Sequence, residues 1–153
     1  MKNNTCCFTG HRDCADNSEI REKLMSAITE LITIKDVRYF GARGALGFDT
    51  IASLCVLEIK KAYPHIKLIL VLPCPEQDKY WSYNDKEVYE YIKKRTDKIV
   101  YVSDRYTKGC MHKRNRYLVD NSRYCVAYCV KNRAGTFYTL NYAEKKGLEI
   151  IRI

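Results

Sequence analysis

No stretch of this chain approaches the roughly 20 consecutive apolar residues of a membrane-spanning helix, although 46% of its 153 residues are apolar. The amino terminus, MKNNTCCFTG, lacks the apolar centre of a secretory signal, so a cytoplasmic location is expected. There is no Walker A sequence, which excludes ATP hydrolysis of the P-loop kind. A G-x-S-x-G elbow and an H-E-x-x-H helix are also missing, which excludes the hydrolases built on them. Nor is there a repeat, a low-complexity segment or a linker, so residues 1–153 are expected to form one domain, long enough for a sizeable core.

The eight cysteines contain no C-x2-C pair, and this argues against a zinc site. Cys125 and Cys129 lie in RYCVAYCV, where a strand would hold them about 13 Å apart, too far to share one ion. Cys6 and Cys7 would point to opposite faces of theirs. In a reducing compartment the eight are expected as thiols, with no metal bound.

Basic residues outnumber acidic ones by 27 to 18, a formal charge of +9. The surplus sits in KKAYPHIK, YIKKRTDK and HKRNR, scattered among expected helices, and it raises the local concentration of anions without naming one.

The apolar pattern alternates. TCCFTG, VRYFG, KLILVLP, DKIVYVS, YCVAYCV and LEIIRI read as strands. SEIREKLMSAITELIT, with Ser18 as N-cap, carries Ile20, Leu24, Ala27, Ile28 and Leu31 at helical spacing. Further helices are expected from the glycines at 41–47 to about Ala62, over DKEVYEYIKKR, over HKRNRYLVDNS, and from AGTFYTL to Gly147. Strands alternating with such helices predict an α/β, Rossmann-like, doubly wound fold: a mostly parallel sheet with helices on both faces. Ligands then bind where the strands end, and the polar, glycine-rich segments gather there: FTGHR, GARGALGFD, PCPEQDKYW, SDRYTKGCMHKRN and KNRAGT.

Each segment offers candidates. Gly44 and Gly47 let backbone approach a ligand, and the following helix aims free N–H groups at an anion. Asp49, in its first turn, would repel phosphate and is expected to accept ribose hydroxyls. Gly135 and Thr136 open the last helix with N–H and O–H donors. Thr9, Gly10 and Arg12 form the first turn, where Arg12 could grip phosphate. Arg114 adds charge, Asn115 could fix a base edge or ribose, and Asp120 is expected to pair with an arginine. Trp81, the one tryptophan, could stack on a base.

FTGHR, G-A-x-G-F-D, Pro73-x-x-x-Gln77-x-x-x-Trp81, Arg114-Asn115-x-x-x-Val119-Asp120-x-Ser122 and Gly135-Thr136-x-x-Thr139, in this order, resemble the DUF1273 or YpsA-like branch of the SLOG superfamily. These are Rossmann-like proteins related to DprA and the LOG phosphoribohydrolases. The resemblance covers nearly the whole chain. Two departures stand out: Arg43 in a slightly longer second loop, and Ala134 where a glycine is usual. LOG enzymes carry P-G-G-x-G-T-x-x-E, and Thr139 stands where their glutamate falls.

The resemblance implies a protein that senses or sequesters a nucleotide-derived molecule, ADP-ribose- or NAD-like, with no cofactor required and no catalytic residue assigned. One alternative is a hydrolase of an N-glycosidic or phosphate bond using Asp49 or His11. The other is a DprA-like single-stranded DNA-binding module, favoured by the basic charge and thirteen tyrosines. Superfamily relatives often self-associate, so a homo-oligomer is a further implied partner.

Overall fold

The computed structural model describes residues 1–130 and 135–153. Six strands, β1 (Thr5–Gly10), β2 (Tyr39–Ala42), β3 (Lys67–Leu72), β4 (Lys98–Tyr101), β5 (Tyr124–Tyr128) and β6 (Glu149–Arg152), form one sheet in the order β4-β3-β2-β1-β5-β6. Every neighbouring pair is parallel. The connections are α1 (Ser18–Lys35), α2 (Phe48–Lys60), α3 (Tyr83–Arg95), α4 (Cys110–Asp120) and α5 (Gly135–Lys145). The expected α/β Rossmann-like fold is therefore present.

Both faces of the sheet are covered. Alternation along β1 sends Cys6 and Phe8 into a core with apolar residues of α1, α2 and α3, and Cys7 into a second with α4 and α5. In the larger core Phe8 stacks on Phe40 at 6.1 Å and meets the edge of Phe48 at 6.4 Å. Phe48 is the first residue of α2, and its burial, worth about 1.5–3 kcal/mol, fastens that helix start over the carboxyl end of β1. All eight cysteines are free thiols. Among the described residues no cluster of three potential ligands could hold a metal, and no helix is long and apolar enough to cross a membrane.

Several boundaries differ from the sequence pattern. Asn17, not Ser18, caps α1, its side chain accepting from the Ile20 N–H at 2.9 Å. Helix α3 begins at Tyr83 because Ser82 accepts from the Asp85 N–H at 3.1 Å. Asp120 accepts from the Tyr142 hydroxyl at 2.7 Å, so the arginine expected as its partner is replaced by a phenol. Ala134 lies outside the described residues.

Candidate functional site

Strands β1 to β4 step in one direction across the sheet, after which the chain returns to place β5 on the other side of β1. Loops leaving β1 and β5 therefore part in opposite directions, and a crevice opens between them at the strands' carboxyl ends. A cavity of about 490 Å³ occupies this position. Seven expected residues line it: Gly10, Arg12, Trp81, Arg114, Asn115, Gly135 and Thr136. Among the described residues, His11, Asp13, Arg43, Ala45, Gln77, Tyr80 and Met111 also line it.

Thr9, Gly44, Gly47 and Asp49 stand behind it. Thr9 is buried within β1, and its hydroxyl has no hydrogen-bond partner among the described residues. Gly44 and Gly47 have φ of 66° and 77°, conformations that favour glycine. A Cβ at Gly47 would collide with the carbonyls of His11 and Arg12, and one at Gly44 with Leu72. The Phe48 N–H donates to His11 O at 3.1 Å across the same junction. These glycines make room for the protein's own chain, where the sequence pattern pointed to a ligand.

Asp49 is wholly buried. One carboxylate oxygen accepts from the backbone N–H of Arg43 at 2.8 Å, and the other from Arg43 Nε at 3.0 Å and Nη2 at 2.6 Å. Nη2 also donates to Gly10 O, tying the ends of β1 and β2 together. The carboxylate expected to hold ribose hydroxyls is thus engaged behind the wall by an arginine that the sequence pattern marked only as a departure. Its signal was a lone charge between glycines at an otherwise apolar strand end.

Arg114 lies in the second turn of α4 and is 4% exposed. Its Nη1 donates to Arg43 O at 2.7 Å and its Nε to Asn115 Oδ1 at 2.8 Å, while Nη2 reaches Met111 Sδ at 3.6 Å. No carboxylate pairs with it among the described residues. Burial, and then the neighbouring Arg43, push its pKa down to about 9, while Asp49 pulls the other way. Two buried guanidinium groups thus share one buried carboxylate. The cavity they face has the exposed side chains of Arg12 and Asp13 at its rim, so its described lining carries three guanidinium groups and one carboxylate. An unpaired buried cation is costly, and an anion in the cavity would offset that cost through charge-assisted hydrogen bonds.

His11 is buried. Its Nε2 accepts from the Val130 N–H at 2.9 Å, and its ring meets the edge of Tyr128. Thr139, at the position of the LOG glutamate, donates back along α5 to Gly135 O at 2.9 Å. Gly135 and Thr136 bring the start of α5, the positive end of its dipole, to the cavity wall.

Residues 7–149 match the sequence profile of YpsA, the YspA SLOG family. The SPβ prophage-derived protein YoqJ of Bacillus subtilis is 37% identical over 139 residues, covering 83% of this chain and 81% of YoqJ. A UPF0398 protein of Bacillus cereus is 30% identical over 107 residues, covering 68% of this chain and 58% of that protein. Among solved structures, DNA processing protein A (DprA) of Streptococcus pneumoniae superposes with a TM-score of 0.70 at 19% identity, covering 99% of this chain and 50% of that one. DprA of Helicobacter pylori, described for its single-stranded DNA binding mode, gives 0.67 at 20%, covering 99% and 65%. The chain thus spans little more than half of the UPF0398 relative and between half and two thirds of the DprA chains. The sequence match over residues 7–149, on a sheet of this order with its crevice between β1 and β5, places the chain in the YpsA SLOG family.

Proposed function

We propose that this protein binds a nucleotide-derived anion in the cavity at the β1–β5 crevice and senses or sequesters it without cleaving it. The observation that carries this reading is Arg114, a buried guanidinium facing the cavity with no carboxylate partner among the described residues. The start of α5 and Arg12 add positive potential around the same space. ADP-ribose- or NAD-related molecules are the chemical class implied by the SLOG resemblance. They suit a cavity with a cationic floor and an aromatic rim. Binding without turnover is favoured because Asp49 and His11, the two residues considered for catalysis, are held in hydrogen bonds within the fold.

The test is thermal unfolding of the protein with ADP-ribose, NAD, AMP and single-stranded oligonucleotides, followed by analysis of each small ligand for breakdown. A ligand selective for the folded state, at 100 times its Kd, adds about 2.7 kcal/mol of stability. The expected result is a shift with ADP-ribose or NAD that is lost in Arg114→Gln, with the ligand recovered whole. Consumption of the ligand would replace this reading with a hydrolase.

A second reading, single-stranded DNA binding, is favoured by the fold shared with DprA and the formal charge of +9. It requires an oligonucleotide shift that declines steeply with salt as counterions are released. A shift with oligonucleotides and none with small ligands would make it the better account.

A further inference from the structure

Two aromatic side chains border the cavity on the loop from β3 to α3, and their surroundings are opposite. The Trp81 ring leans on Tyr89 at 5.0 Å, tilted by 57°, and packs against the larger core. The residue is partly buried against the fold. Tyr80 lines the same cavity yet is 89% exposed. Among the described residues its one ring contact is with the adjacent Lys79, whose Nζ lies 5.4 Å from the centroid.

The loop carrying Tyr80 is fixed at several points. Gln77 Nε2 donates to Gly44 O at 3.1 Å and to the Tyr89 hydroxyl at 2.8 Å. The Lys79 N–H donates to Glu76 O at 3.1 Å and the Trp81 N–H to Asp78 O at 3.0 Å. The Glu76 carboxylate accepts from the Tyr106 N–H at 3.2 Å, joining this loop to the next one. The braced loop fixes where the ring is presented, so a flat group that covers it need order only the side chain's own rotamer. Exposed rings of this kind stack on any nucleobase, since every base has a π-face.

We propose that Tyr80, rather than Trp81, is the stacking platform for the base of the cavity's ligand. The occupant is accordingly a nucleotide, with its phosphate at Arg114 and its base at the rim, in preference to a sugar phosphate or inorganic phosphate. This rests on the anion-binding reading above and assigns the specificity for a base to one residue.

Calorimetric titration of wild type, Tyr80→Phe and Tyr80→Ala with ADP-ribose, and with inorganic pyrophosphate as a base-free probe, tests it. Tyr80→Phe keeps the wild-type affinity for ADP-ribose within about twofold. Tyr80→Ala weakens it about five- to one-hundred-fold, the loss of one base stack. Pyrophosphate binding is the same in all three proteins, and the ligand-free variants unfold at the wild-type temperature because the ring is exposed. Wild-type ADP-ribose affinity in Tyr80→Ala overturns the stacking role and leaves the anion site standing. An equal loss of pyrophosphate affinity, or a lowered unfolding temperature, overturns it in favour of a role in holding the loop. If wild type binds neither probe, the anion-binding reading fails and this one with it.

Discussion

Arg43 bonds the carboxylate of Asp49 three times, once through its backbone and twice through its guanidinium, in a region closed to solvent. Removing one member of a buried pair leaves the other charge uncompensated, a loss of about 3–5 kcal/mol. Asp49→Ala is therefore expected to lower the unfolding temperature by roughly 6–20 °C in a chain of this size. Urea unfolding checks this. A change below about 1 kcal/mol would mean that the pair is dispensable. Loss of ligand binding in Asp49→Ala reports on the fold rather than on a sugar contact.

Gly47 and Gly135 make a matched pair of substitutions. Alanine at Gly47 meets both a positive φ and the His11 and Arg12 carbonyls, and should cost on the order of 2–3 kcal/mol. Alanine at Gly135 meets nothing within 4 Å, so stability should hold while ligand affinity falls if the start of α5 lies against phosphate. Comparable unfolding midpoints for the two variants would contradict the role given to Gly47.

The alternation of strands and helices was readable because each buried strand or helix face repeats at its own period, as in KLILVLP or Ile20-Leu24-Ile28-Leu31. The strand ends were readable as the candidate site because polar, glycine-rich segments collect there. What periodicity cannot carry is which polar group meets which. Asp49 and Arg43 are six residues apart and Arg114 is 71 further on, and only the sheet order brings them together. Glycine spacing likewise reveals a close approach without saying whether ligand or chain does the approaching. Tyr80 and Trp81 are adjacent in sequence, and only the packing of Tyr89 under one of them separates their roles.

Anion binding should respond to alkaline pH. Free Arg114 has a pKa depressed to about 9, and an anion beside it favours the charged form. The complex therefore holds the proton more tightly than the free protein. Affinity is then constant from neutral pH to near 9 and falls up to tenfold per unit above it. Titrations between pH 7 and 10 with ADP-ribose, whose diphosphate keeps a constant charge over that range, check this, and an affinity that rises would be inconsistent with Arg114 as the anion's partner.

Asp97 offers a test at acid pH. Burial works to raise its pKa, but Lys60 Nζ, 2.6 Å away, and the Leu68 N–H at 2.9 Å outweigh it, leaving the group below its ordinary value. The stability it supplies is fully present above the unfolded-state value near 3.9 and disappears as pH falls through the lower folded-state value. Asp97→Asn should cost about 1–2 kcal/mol at pH 7, with the difference from wild type closing in strongly acidic urea titrations. A pH-independent difference would point to lost packing instead.

The chain's one indole belongs to Trp81 and sits in the wall of the cavity. Light absorbed at the red edge of the protein spectrum, where tyrosine is transparent, is thus emitted from the site itself. The molecule carries its own optical reporter: a guest that displaces solvent from this wall changes the colour or yield of that emission, and occupancy can be followed in real time without a label.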